Sequence, residues 1–149
     1  MSILKSEIKF GTDGWRGIIS DNFTFKNVRR VAQAIADYYN GPTDQRTNGP
    51  TKIAVGYDTR FLSDKFAQTV AEVLINNGID VILSDRAIPT PALSFATRNK
   101  KLTAGIMITA SHNPPEYNGL KIKTSRGAAA PVKLTREIER RANKIKVSK

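Results

Sequence analysis

The sequence contains no cysteine, so disulfides and thiolate metal sites are excluded. That absence suits a reducing compartment, and a cytoplasmic location is the expectation. No apolar stretch reaches the roughly 20 residues of a membrane span. The segment Met1 to Phe10 alternates charged and apolar residues and has no signal-peptide core. Membrane association and export are therefore not expected. Acidic residues are scarce, with 13 Asp and Glu against 24 Lys and Arg, a net charge of +11. Such a balance attracts anions, whether nucleic acid, acidic membrane or phosphorylated metabolite, unless it is only a solvated basic face. Part of the excess sits at the end, in Lys133, Arg136, Arg140, Arg141, Lys144, Lys146 and Lys149. There is no internal repeat and no low-complexity tract.

What is present fits one domain. The 149 residues, 40% hydrophobic and 25% charged, suffice for a packed core without staples. Gly11, Gly14 and Gly17 mark a turn between short strands. Thr24 reads as an N-cap, followed by Val28, Val31, Ala32 and Ile35 at helical spacing, with Gly41 past the end. Thr43–Pro50 reads as a loop. Lys52–Tyr57 is a short apolar strand. Ser63 is expected to cap a second helix with Phe66, Val70, Val73 and Leu74 inside and Gly78 beyond it. Ile79–Leu83 is the next strand, and Thr90-Pro91 is the expected cap and first turn of a short helix to about Asn99. Thr103–Thr109 is the most apolar strand and should be central. Pro114 and Pro115 forbid regular structure over Ala110–Tyr117. Leu120–Thr124 is a last strand, with antiparallel pairing open to it. A basic helix from Thr135 to about Lys146 places Ile138, Ala142 and Ile145 on one face. The alternation implies a three-layer α/β/α fold around a mixed, mostly parallel sheet of about four strands.

Open α/β sheets place ligands beyond the carboxyl ends of their strands. Thr109-Ala110-Ser111-His112-Asn113-Pro114-Pro115 leaves the central strand at such an end. Ser111 there is a weak nucleophile unless a base or electrostatic help stands near. His112, the single histidine, is adjacent, and Lys121 lies on the returning strand. Taken one at a time, these residues read equally well as a turn serine, a surface histidine and a solvated lysine. Gly11-Thr12-Asp13-Gly14-Trp15-Arg16-Gly17 supplies glycines that let backbone N–H groups approach an anion, and an arginine fork suited to phosphate. A structural glycine hairpin is the other reading of it, with Trp15 as a packing residue. Gly56-Tyr57-Asp58-Thr59-Arg60, at another strand end, is read as an Asp58–Arg60 pairing beneath the site.

Together Phe10–Gly17, Gly56–Arg60 and Thr109–Lys121 (TASHNPPEYNGLK) resemble three motifs of the α-D-phosphohexomutases, the phosphoglucomutase and phosphomannomutase family. The resemblance runs from Lys9 to about Ile145. It implies that Ser111 carries a phosphoryl group and passes it to a sugar monophosphate through a hexose 1,6-bisphosphate. It implies acid–base or electrostatic help from Lys121, phosphate stabilisation by Arg16 and a shaping role for His112. Thr12, Asp13, Asn113 and Asn118 match positions that meet substrate or phosphate. Family members have four domains, and the chain resembles only the first. The aspartate loop that binds Mg²⁺ is missing, so Ser111, through its phosphate, is the only metal ligand implied here. The implied partners are a phosphorylated hexose and the remaining mutase domains. The Thr109–Ala110 start and Tyr117 favour glucose or mannose phosphates. The chain alone is expected to be inactive. The competing reading is a basic nucleic-acid-binding or domain-docking module, although it lacks the interleaved aromatics of a single-strand binder.

Overall fold

The computed structural model describes residues 7–42 and 49–146. Most of the loop expected over Thr43–Pro50 lies outside the described residues, as does Lys149. In chain order the elements are β1 (Phe10–Gly11), β2 (Gly14–Ile18), α1 (Phe25–Asn40), β3 (Lys52–Tyr57), α2 (Ser63–Asn76), β4 (Asp80–Leu83), α3 (Thr90–Asn99), β5 (Ala104–Ile108), β6 (Tyr117–Thr124) and α4 (Val132–Lys144).

The strands form one six-stranded sheet in the order β1-β2-β6-β5-β3-β4. It is mixed, as expected, but larger than the four strands read from sequence. It is also not mostly parallel. β3 pairs parallel with β4 and β5, whereas β1–β2, β2–β6 and β5–β6 are antiparallel. The cause is the glycine-rich hairpin, whose two short strands extend the sheet through β6. The loop after β5 is too short for a crossover helix, which forces β6 back antiparallel beside it.

Alternation along the inner strands creates the three layers. Ile53, Val55, Ile106 and Ile108 face one side, where α1, α2 and α4 add Val31, Ile35, Phe66, Val70 and Ile138. Ala54 and Met107 face the other, where they meet Leu93 of α3. Each fully buried aliphatic side chain of this kind contributes about 1.5–3 kcal/mol. Thr24 caps α1 as expected, its hydroxyl accepting the Asn27 N–H at 3.1 Å, which is worth about 1 kcal/mol.

Two expected caps and the expected start of the last helix move. α2 begins at Ser63 behind Leu62, which holds a left-handed φ of 61°. The Ser63 hydroxyl instead donates to Asp58 at 2.7 Å. α3 starts on Thr90 with Pro89 in the cap position, and α4 starts at Val132 behind Pro131. In both, a proline with extended backbone sets the entry, because its fixed φ suits the turn into a helix.

Candidate active site

β5 ends at Ile108, and the chain turns twice before it re-enters the sheet as β6. The Asn113 N–H donates to the Ala110 carbonyl and the Tyr117 N–H to that of Pro114, both at 3.0 Å. Within the first of these turns Ser111 sits exposed with φ of 55°. A left-handed conformation costs a residue with a Cβ about 1–2 kcal/mol, so something in the fold must hold it. One such hold is the Thr109 hydroxyl, which accepts the Ser111 N–H at 3.0 Å.

The hairpin of β1 and β2 approaches from the side. Gly11 opposes Gly14, which leaves Thr12 and Asp13 at the tip. Gly14 has φ of 98°, and a Cβ there would lie 2.5 Å from the Leu120 carbonyl oxygen, so only glycine fits. Arg16 opposes Gly119 of β6. The missing side chain at Gly119 lets the arginine cross over it, and its Nη1 donates to Asn113 Oδ1 at 2.7 Å. Lys121, buried on β6, donates through Nζ to Asp13 Oδ2 at 2.5 Å, and Arg16 Nη2 stands 3.8 Å from the same oxygen. The hydrogen bond from Lys121 is the main cause that lowers the Asp13 carboxyl below its ordinary pKa, with partial burial opposing.

A cavity of about 750 Å³ opens between hairpin and loop. Ser111, His112 and Asn113 line it from one side and Thr12, Asp13 and Arg16 from the other. Six of the expected site residues therefore share one space. Lys121 stands behind them, tied to the cavity through Asp13. Asn118 is a correction. It is fully buried, its amide donates to the Ser63 hydroxyl at 2.9 Å, and its Oδ1 accepts the Gly119 N–H at 2.8 Å. It braces the loop from inside and does not face the cavity. Sequence reading missed Lys9 and Phe10, which also line the space. Phe10 opens the glycine-rich motif and Lys9 precedes it, and both line the space by their place at the hairpin base.

Arg60 is the other residue whose place was underestimated. Its Nε stands 3.6 Å from Asp58 Oδ2, the expected pairing. Its Nη1 also donates to the carbonyls of Pro114 and Tyr117 at 2.8 and 3.1 Å. Its Nη2 donates to those of Ser111 and Asn113 at 2.8 and 2.6 Å.

A divalent cation needs several oxygen ligands. Asp13 is the one carboxylate among the described residues that line the cavity, and Lys121 and Arg16 already hold it. Among the described residues no group of three His, Cys, Asp or Glu is placed to hold a metal. These residues therefore do not make a Mg²⁺ site, and no step is routed through one. Among the same residues no helix is long and apolar enough to cross a membrane.

Fold and site define an α/β/α domain whose cavity lies where β5 delivers an exposed, left-handed serine. The chain belongs to the phosphoglucomutase/phosphomannomutase family, and residues 7–149 match the model of that family's α/β/α domain I. It is 41% identical over 141 residues to a phosphoglucomutase of Staphylococcus saprophyticus, covering 93% of this chain and 25% of that protein. It is 47% identical over 130 residues to a phosphoglucomutase of Staphylococcus aureus, covering 83% of this chain and 22% of that one. Among solved structures, a Thermus thermophilus protein assigned to the phosphomannomutases superposes with a TM-score of 0.84 at 39% identity, covering 92% of this chain and 30% of the other. The chain thus spans about a quarter of the length of the curated relatives it matches.

Proposed function

We propose that this chain is the phosphoserine-bearing first domain of a phosphosugar mutase, and that Ser111 is the phosphoryl carrier. The observation that carries the reading is Ser111 itself, exposed and left-handed at the mouth of a cavity it shares with Arg16 and His112. In this reading Ser111 Oγ attacks a phosphorus of a hexose 1,6-bisphosphate. The Oγ–P bond forms, the bond from phosphorus to the sugar oxygen breaks, and the proton of the serine hydroxyl ends on that sugar oxygen. In the companion step the phosphorylated serine passes its phosphoryl group to the free hydroxyl of an entering hexose monophosphate and remakes the bisphosphate, so that taking back the phosphoryl group from the other position interconverts hexose 1-phosphate and hexose 6-phosphate.

Phosphoryl transfer needs position and charge more than covalent chemistry. Arg16 supplies a planar fork to equatorial phosphate oxygens, and its bond to Asn113 keeps it aimed at the loop. His112 lines the approach. Lys121 donates to the Asp13 carboxylate from behind the cavity, a placement that suits acid–base or electrostatic help beside the transferring group. Thr12 and Asn113 would meet phosphate at the rim. Glucose and mannose phosphates are the proposed substrates, in keeping with the names of the relatives. Mg²⁺ ligands other than a phosphate on Ser111, and the remaining sugar contacts, would come from the other domains of a four-domain protein. The 149 residues alone are expected to show no turnover.

A coupled assay for hexose 6-phosphate, run on the protein expressed from its complete gene, tests the reading. Ser111→Ala is expected to lower kcat by at least about 10³-fold, as removal of a covalent carrier does elsewhere. Turnover by Ser111→Ala close to the parent protein would overturn it.

A further inference from the structure

We infer that Arg60 is the positioning residue that holds Ser111 in its left-handed conformation, so that the loop from Ser111 to Tyr117 is wrapped around one guanidinium. The inference rests on the reading of Ser111 as phosphoryl acceptor and deepens it. A guanidinium carries five N–H donors in a fixed plane. The terminal nitrogens of Arg60 serve the carbonyls of Ser111, Asn113, Pro114 and Tyr117, all within 3.1 Å. Nε faces Asp58. Both terminal nitrogens are thus engaged by the loop and Nε is turned to Asp58, so Arg60 acts through the loop.

The bond to the Ser111 carbonyl is the decisive one. It fixes the peptide plane that follows Ser111, and with the Thr109 hydroxyl on the Ser111 N–H it clamps the residue on both sides. Those two restraints set the direction of the Cα–Cβ bond from which Oγ departs. Without the fork, the φ of 55° has little to oppose relaxation to the ordinary right-handed or extended regions. The arginine is itself braced. Asp58 Oδ1 accepts the Arg60 N–H at 3.0 Å and the Ser63 hydroxyl at 2.7 Å. Ser63 in turn accepts from Asn118 at the loop's exit. One chain of bonds therefore joins the start of α2 to both ends of the loop. Lysine cannot replace this geometry, because its donors radiate from a single nitrogen.

The test uses the protein expressed from its complete gene, with Arg60→Lys, Arg60→Gln and Ser111→Ala. For Arg60→Lys, kcat is expected to fall about 10²-fold with KM little changed, the size of loss that misplacement of a reacting atom by about 1 Å produces. Phosphorylation of Ser111 by glucose 1,6-bisphosphate should slow by the same factor. Hydrogen exchange at the Ser111, Asn113 and Tyr117 amides should quicken while the β5 amides stay protected. Arg60→Gln, which keeps two planar donors, should fall between, and it decides the matter should Arg60→Lys fail to fold. Wild-type kcat, a rise in KM alone, or unaltered exchange at the three amides would overturn the inference. If Ser111→Ala retains turnover, the acceptor reading fails instead, and the exchange data still decide whether Arg60 holds the loop.

Discussion

Ser111 carries a conformational cost that an ordinary surface serine does not. Its φ of 55° is tolerated by glycine and resisted by any residue with a Cβ. Ser111→Gly should therefore be more stable than Ser111→Ala by about 1 kcal/mol in urea unfolding, although both remove the hydroxyl. The opposite order would mean that the left-handed geometry is not maintained. Asp13 supplies a second residue-scale outcome. Its carboxyl is depressed chiefly by the Lys121 hydrogen bond, so the folded state holds the charged form more strongly than the unfolded chain does. The resulting stability is present above the ordinary Asp pKa of about 3.9 and is lost as pH falls through the lower folded value. Asp13→Asn should therefore be less stable than the parent at neutral pH. The gap should narrow as denaturation is followed below about pH 4. A gap independent of pH would show that the pair with Lys121 adds nothing. The pair is partly solvent-exposed on the Asp13 side, so the effect should also shrink in high salt.

At the scale of elements, β6 is the organising strand, since it joins the hairpin to the parallel half of the sheet. Gly119 makes that possible. A Cβ there would lie 2.6 Å from the Thr109 carbonyl oxygen and 2.8 Å from that of Trp15, backbone on both flanks. Gly119→Ala should destabilise the fold by at least about 1–3 kcal/mol by overpacking, measured as a shift of the urea midpoint. It should also displace Arg16, whose Cγ passes 3.1 Å from that point. Elements with a clear period were legible in the sequence. β3 and α1 fall where Lys52–Tyr57 and the stripe of Val28, Val31, Ala32 and Ile35 placed them. β1 and β2 were read as short strands about a turn but without bounds, because two and five residues rich in glycine show no alternation to count. The candidate site was legible where side chains carry it, in Ser111, His112, Asn113, Arg16, Thr12 and Asp13. It was not legible where backbone does. The targets of Arg60 are four carbonyls, which leave no mark on residue type. The positive φ of Ser111 likewise has no glycine to announce it. Asn118 read as part of the loop motif, yet it belongs to β6 and turns inward to Ser63.

The whole molecule is a basic body with its cationic groups put to different uses. On α4, Glu137 is held by Arg140 and Arg141 at 2.6 and 2.7 Å, a surface arrangement far in sequence from the cavity. At the cavity Arg16 is held by Asn113, and behind it Lys121 is held by Asp13. A fixed arginine sharing the cavity with Ser111 suits the proposed phosphoryl carrier better than binding by net charge alone. The most direct measurement of the central claim is transfer of a labelled phosphoryl group from glucose 1,6-bisphosphate to the protein expressed from its complete gene, followed by peptide mapping. One phosphoryl group per chain is expected, on the peptide that contains Ser111, and none on Ser111→Ala. Label on another residue, label retained by Ser111→Ala, or no label on the parent protein would contradict it.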